Sequence, residues 1–269
     1  MTLQISGKTA IVTGAANGIG LAIARHFVEE GANVMCADMD EARLVEELGD
    51  VANEDGAPIR FYAGDLRERL TQANLLSATI DAFERVDILI NASRQILKSD
   101  PLSSDDNSLE IMIEQNLMTS YRMSQVIARR MIQQSKLDPE NGPAGSIINL
   151  SSIAARRTRD DLLGYSVSTA ALEQMTRSMA VALAPHRIRV NAVAFGSVMS
   201  ASLHGALRED EDLRQGILEG TPLGRIASPV ELAEAVQFLA ADASGFMTGQ
   251  VMNIDGGRGL TDVVQGSAH

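Results

Sequence analysis

Seven short apolar runs, separated by longer segments of helical period, set the limits on what this chain can fold into. They are TAIVT (9–13), NVMCAD (33–38), IRFYAG (59–64), VDILIN (86–91), GSIINLSS (145–152), RVNAVAF (189–195) and QVMNID (250–255). DILI and SIINL are apolar at nearly every position rather than at every second one, the pattern of strands covered on both faces. Helices are predicted between the runs near 18–30, 41–54, 67–84, 108–135, 165–184 and 229–241. Strands alternating with helices in this way predict an α/β fold: a parallel sheet with right-handed crossovers and helices on both faces. No internal repeat or long linker divides the 269 residues, so a single domain is expected. Two segments stand apart. SKLDPENGPAG (135–145) is polar and rich in turn formers, the composition of a surface loop. Residues 197–225 follow the sixth strand with mixed helical character, well placed for a substrate lid.

Composition restricts the partners. Hydrophobic residues make up 45% of the chain, enough for a sizeable core. The formal net charge is −12, which argues against nucleic acid and anionic membrane surfaces, since both require a basic face. The single cysteine, Cys36, excludes an internal disulfide and leaves no thiol cluster for a metal. The amino terminus runs directly into the first strand without the pattern of a signal peptide, and no apolar run reaches the length of a membrane span. A soluble, cytoplasmic protein is expected.

The segment TGAANGIG (13–20) leaves the first strand and opens the first helix. Gly14, Gly18 and Gly20, with Asn17 and Ile19 among them, can supply a tight turn and close approach of the backbone to a pyrophosphate. The amides of the helix start would then face the phosphates. An acid at the end of the second strand, Asp38, completes the pattern; it can accept hydrogen bonds from adenosine ribose hydroxyls and would repel a 2′-phosphate. No Arg or Lys lies within 14–20, so NAD(H) is expected rather than NADP(H). Asp40 is expected to open the next helix. Asp65, beside Leu66 at the end of the third strand, could meet the adenine amino group or cap a helix.

Taken together, TGAANGIG, GDL (64–66), QNL (115–117), GSIINLSS, Tyr165, RVNAV and MTGQVMNIDGG (247–257) resemble the short-chain dehydrogenases/reductases of the classical type over almost the whole chain. The resemblance implies a Rossmann-like, doubly wound, seven-stranded parallel sheet, a nicotinamide dinucleotide and a homo-oligomer, either tetramer or dimer. It implies that Ser152 orients the substrate oxygen, that Tyr165 is the general acid/base, and that Asn116 anchors a water in a proton relay. Asp65, Leu66, Asn91, Thr169, Gly196 and Val198 join the glycine turn and Asp38 as the implied cofactor contacts.

Three departures gather at the nicotinamide half. The family's Tyr-x-x-x-Lys reads here Tyr165-Ser-Val-Ser-Thr169. Residues four apart share a helix face, and Thr169 can offer a hydroxyl to the nicotinamide ribose but no charge. A cation about 5 Å from a phenolate, at an effective dielectric of about 20, stabilises it by roughly 3 kcal/mol. The family's NNAG is NASR (91–94), which either puts Arg94 in the place of a glycine or, with one residue deleted, aligns Asn91-Ala92-Ser93 with the last three positions. The family's Pro-Gly is Phe195-Gly196, with Val198 and Ser200 left to contact the nicotinamide amide. Arg94, Arg156, Arg157 and Arg159 are candidates for a replacement cation, although loop arginines are ordinarily solvated or paired with acids such as Asp160 and Asp161. His204 is read as a surface histidine rather than an auxiliary acid/base. The expected function is an NAD(H)-dependent oxidoreductase acting on a small or medium, fairly apolar secondary alcohol or its ketone. The alternative is a catalytically impaired relative that binds NAD(H) as a sensor or assembly partner.

Overall fold

The computed structural model describes residues 2–54, 56–137, 142–199, 201–209 and 211–261. Seven strands form one parallel sheet: β1 (Thr9–Thr13), β2 (Asn33–Asp38), β3 (Ile59–Ala63), β4 (Ile88–Asn91), β5 (Gly145–Ser152), β6 (Ile188–Phe195) and β7 (Val251–Ile254). Their spatial order is β3-β2-β1-β4-β5-β6-β7. The expected Rossmann-like, doubly wound α/β architecture is the one observed. The chain winds outward in one direction from β1 to β3 and in the other from β4 to β7. The crevice between the carboxyl ends of β1 and β4 is therefore the topological switch point, where such sheets bind ligands.

Alternation along the strands sends successive side chains to opposite faces. Ala10, Val12, Val34, Cys36, Ile88, Ile90, Ile148 and Val193 join one core with residues of α1 (Gly18–Glu29), α2 (Glu41–Ala52) and α9 (Pro229–Ala240). Ile11, Met35, Leu89, Ile147 and Val190 join the other with residues of α3 (Arg69–Phe83), α5 (Thr119–Leu137) and α6 (Leu163–Leu183). Both faces of the sheet are thus covered, which is why its strands are apolar throughout. Burial pushes the Cys36 thiol from its ordinary value of 9.0 up to about 12.

Local chemistry sets the helix starts. Asp40 accepts a hydrogen bond from the Arg43 amide at 3.0 Å and caps α2, as its position suggested. Ser228 and Glu231 form a reciprocal capping box at the start of α9, with Pro229 in the first turn.

One expectation needs correction. The long helix predicted over 108–135 is three pieces: α4 (Ser108–Met112), a π-helical turn (Ile113–Met118) and α5. The Thr119 amide and hydroxyl both donate to the Glu114 carbonyl five residues back, which accommodates one extra residue in the turn. The segment after β6 carries two short helices, α7 (Ala201–Glu209) and α8 (Glu211–Glu219), in keeping with its mixed helical character. Ser200 lies outside the described residues. Among the described residues no helix is long and apolar enough to cross a membrane.

Candidate active site

Both glycine constraints at the switch point are geometric. Gly14 has φ +67°, and a Cβ there would stand 2.7 Å from the Ser93 Cα, 2.8 Å from the Ser93 nitrogen and 2.9 Å from the Ala92 carbonyl carbon. A Cβ on Gly20 would lie 2.1 Å from the Gly14 carbonyl oxygen. Turn, helix start and the loop after β4 therefore interlock at backbone distance. The Thr13 hydroxyl adds to the clamp by accepting hydrogen bonds from the amides of Ala92 (3.0 Å) and Ser93 (3.1 Å).

A cavity of about 530 Å³ opens over this junction. The glycine turn (Gly14, Asn17, Gly18, Ile19, Gly20) lines its floor, Asp38 and the Gly64–Arg67 turn line one end, and Ala92–Ile96 with Gln115 line the other. One Asp38 carboxylate oxygen accepts from the Ala16 amide at 3.1 Å, and the other accepts from the Asp40 amide at 3.1 Å. The carboxylate is thus fixed beside the glycine turn. Asp65 neither caps α3, whose N-cap is Glu68, nor stands alone. It accepts two hydrogen bonds from the Arg67 guanidinium nitrogen Nε, at 2.9 and 3.0 Å, and one from the Arg67 amide. The Arg67 hydrogen bonds hold its carboxyl below the usual aspartate range.

Tyr165 and Ser152 lie beyond the Arg94 end. Tyr165 is buried in the first turn of α6 and packs in one apolar cluster with Met112 and Ala154. Ser152 ends β5, pairs with Phe195 on β6, and accepts a hydrogen bond from the Ala154 amide at 3.1 Å. Asn116 sits in the π turn. Its carbonyl oxygen accepts from the Gln95 amide at 2.8 Å, and its amide donates to the Gln95 carbonyl (3.0 Å) and to the Ser168 hydroxyl (3.2 Å). Ser168 in turn donates to the Tyr165 carbonyl at 3.0 Å. Asn116 thus ties the loop carrying Arg94 to the helix carrying Tyr165.

Several implied cofactor contacts do not reach the cavity with their side chains. Asn91 is buried and donates to the Ser124 hydroxyl (3.1 Å) and to the Asn149 side-chain oxygen (2.8 Å), so Ala92 and Ser93 form the wall instead. The Thr169 hydroxyl donates within its own helix, to the carbonyls of Tyr165 (2.8 Å) and Ser166 (3.2 Å), leaving only its lone pairs for another partner. Gly196 packs against Asp255, where a Cβ would approach to 3.2 Å. Val198 is buried and bridges to Ala227. Met39, Arg67, Gln95, Ile96 and Gln115 line the cavity without having been singled out from sequence. Gln115 was at least visible within QNL; it donates to the Ser93 hydroxyl at 2.9 Å.

The four candidate arginines separate cleanly. Arg159 pairs with Asp161 at 2.9 Å, as loop arginines commonly do. Arg156 pairs with Glu173 at 3.1 Å, and Arg157 donates to the carbonyls of Gly259 and Thr261. Arg94 departs from that pattern: its Nη1 donates to the Tyr165 hydroxyl at 3.2 Å, and its guanidinium carbon lies 4.5 Å from the centre of the Phe195 ring. His204, on α7, is exposed.

A family model described as enoyl-(acyl carrier protein) reductase matches residues 14–258. The chain belongs to the short-chain dehydrogenase/reductase family. A 3-oxoacyl-(acyl-carrier-protein) reductase of Thermotoga maritima is 31% identical over 95% of this chain and 99% of its own length. An L-fucose dehydrogenase of Mus musculus is 31% identical over 96% of this chain and 90% of its own. Among solved structures, a 7α-hydroxysteroid dehydrogenase complexed with NADH and 7-oxo glycochenodeoxycholic acid superposes with a TM-score of 0.84. It is 28% identical over 95% of both chains. As a member of this family the chain is a short-chain dehydrogenase/reductase enzyme, and the residues at the switch point fit the nicotinamide dinucleotides that the family uses.

Proposed function

We propose that this protein is an NAD(H)-dependent oxidoreductase that interconverts a secondary alcohol and a ketone. The observation that carries the reading is the continuity of one cavity. It runs from Asp38, across the glycine turn, to Arg94, whose guanidinium touches the Tyr165 hydroxyl. A nucleotide-holding floor therefore ends at the residue that hydrogen-bonds the Tyr165 phenol.

The roles follow from that arrangement. Gly14, Asn17, Gly18, Ile19 and Gly20 would hold the pyrophosphate against the start of α1, whose amides and dipole favour anions. Asp38 would accept hydrogen bonds from the adenosine ribose and repel a 2′-phosphate, which selects NAD(H) over NADP(H). The basic side chain at that end, Arg67, is paired with Asp65, which partly neutralises the charge it could offer such a phosphate. The dinucleotide supplies or accepts the hydride. Ser152 would orient the substrate oxygen, and Tyr165 would give it a proton during reduction or remove one during oxidation. Asn116 would hold Gln95 and Ser168, and through them the geometry around Tyr165. Leu162, which packs on the Tyr165 cluster, and Val198 suit an apolar substrate wall. Exposed Val167 and Val181 on α6 would suit pairing into a homo-oligomer.

A second reading, an NAD(H)-binding relative without turnover, rests on Thr169, which brings no charge to Tyr165. The oxidoreductase and dehydrogenase names of its relatives, and the Arg94 contact, favour the enzyme. Calorimetry with NADH and NADPH, followed by a panel of ketones and secondary alcohols with the Tyr165→Phe variant as control, tests the choice. The expected results are tighter binding of NADH than of NADPH and turnover that Y165F abolishes. Absence of NADH binding at millimolar concentration would overturn the proposal. NADH binding without turnover on any substrate would favour the second reading.

A further inference from the structure

Thr169 in the place of a lysine takes a cation away from Tyr165, and Arg94, on the loop after β4, brings one to the Tyr165 hydroxyl. We infer that Arg94 substitutes for the absent lysine as the positioning cation of Tyr165. The inference rests on the reading of Tyr165 as the proton-exchanging group and adds the residue that makes this work without a lysine.

Three observations converge. The contact is direct: Arg94 Nη1 lies 3.2 Å from the Tyr165 hydroxyl oxygen, within hydrogen-bond reach. The guanidinium is also seated, because it rests on the face of Phe195 at 4.5 Å, where the ring quadrupole attracts a cation. Phe195 pairs in register with Ser152, so the ring that supports the cation belongs to the strand beside the one that presents the serine. Finally, the charge is uncommitted. Arg156, Arg157 and Arg159 are engaged by Glu173, two carbonyls and Asp161, whereas among the described residues no carboxylate pairs with Arg94.

Guanidinium chemistry suits the role. It carries only donors, so the Tyr165 oxygen must accept from Arg94, and the phenolic hydrogen is left free to face a substrate oxygen. When Tyr165 gives that proton to a carbonyl oxygen during reduction, the negative charge develops on the atom Arg94 already touches. In oxidation the same charge is present first and is consumed as the proton moves from the alcohol to the phenolate. A fixed donor aimed at the site of developing charge stabilises it without reorganisation. The planar, permanently charged fork reaches from the loop after β4 across to α6, whereas a lysine at 169 would reach the phenol from its own helix. Thr169, its hydroxyl donated to the Tyr165 and Ser166 carbonyls, is free to be a packing residue.

The test needs no known substrate. The chain has three tyrosines and no tryptophan, so tyrosinate absorbance is easily resolved, and the difference from Tyr165→Phe isolates one residue. Wild type, Arg94→Gln and Arg94→Lys would be titrated with alkali, with thermal unfolding checking that each is folded and NADH fluorescence checking the cofactor site. The expected result is that R94Q carries about 100-fold less Tyr165 phenolate than wild type at the same pH. R94K should retain most of the wild-type signal, because a merely structural contact would not follow charge. Coincident Tyr165 titrations in folded wild type and R94Q would overturn the inference. Failure of NADH to bind wild type would overturn the functional proposal instead, and the titration would still decide the role of Arg94.

Discussion

Adding one methyl group at Gly14 should damage this protein far more than adding it at Gly7. Both glycines have left-handed backbones, with φ +67° at Gly14 and +75° at Gly7. An L-residue in that region costs about 1–2 kcal/mol, partly offset by the roughly 0.4–1 kcal/mol gained by restricting the unfolded chain. Around Gly7 nothing lies within 4 Å of the added Cβ, so Gly7→Ala should cost about 1 kcal/mol or less and lower Tm by about 2 °C. At Gly14 the Cβ would sit 2.7 Å from Ser93 Cα and would need about 0.7 Å of separation to reach an ordinary 3.4 Å contact. The obstructing atoms are backbone, held by the Thr13 hydroxyl, and cannot swing aside. Overpacking of this kind adds about 1–3 kcal/mol, so Gly14→Ala should lower Tm by about 4–8 °C. The displaced turn should also lose at least one amide contact to the pyrophosphate. A hydrogen bond to a charged group is worth about 1.5–3 kcal/mol, so NADH binding should weaken by 10-fold or more. Differential scanning fluorimetry and calorimetry on the two variants provide the comparison. Equal Tm losses with unchanged NADH affinity in G14A would refute the claim that this turn and the loop after β4 are in backbone contact.

Removal of the Asp38 carboxylate tests cofactor choice: D38A should narrow the NADH-over-NADPH preference by about 10-fold, measured as the ratio of binding constants. Cys36, buried and pushed up to about 12, should ignore a thiol reagent such as Ellman's at pH 8 in the native protein. It should release one equivalent after denaturation; rapid labelling of the folded chain would contradict its burial. Glu231 is held down to about 2 from its ordinary 4.5, first by the hydrogen bonds from Arg225 and then by that from the Ser228 amide. A carboxyl depressed by folding contributes stability that is complete above about pH 4.5 and is lost as pH falls toward 2. Glu231→Gln should therefore flatten the acid limb of the stability profile between these values and leave it parallel to wild type above them.

The sheet was legible because each strand carries its burial in its own letters. Five residues of TAIVT and all eight of GSIINLSS are buried, as continuous apolar or small residues require. Strand ends were less clear: Val86 and Asp87 read as strand, yet β4 begins at Ile88, although the Asp87 amide still donates to the Thr9 carbonyl. The glycine turn and Asp38 were readable for a related reason, since local backbone geometry dictates those residue types. Two side chains of the site departed from expectation because their partners came from far along the chain. Arg94 finds Tyr165 seventy-one residues away, and nothing in NASR distinguishes that seat from a solvated loop. Asn91 turned inward because Asn149 and Ser124 wait there, on another strand and another helix. The π turn went unread because its six residues are too few to set a period of their own.

That turn has an evolutionary corollary. A helix holding one surplus residue at 113–118 can be repaired by deleting it, and the shortened segment would wind as uninterrupted α-helix. The flanking turns of α4 and α5 would keep their present register, and the part re-aimed would be 113–118 itself, which presents the Asn116 amide to Gln95 and so ties down the loop that delivers Arg94. A chain otherwise tolerant of one-residue length changes should find this short stretch closed to them.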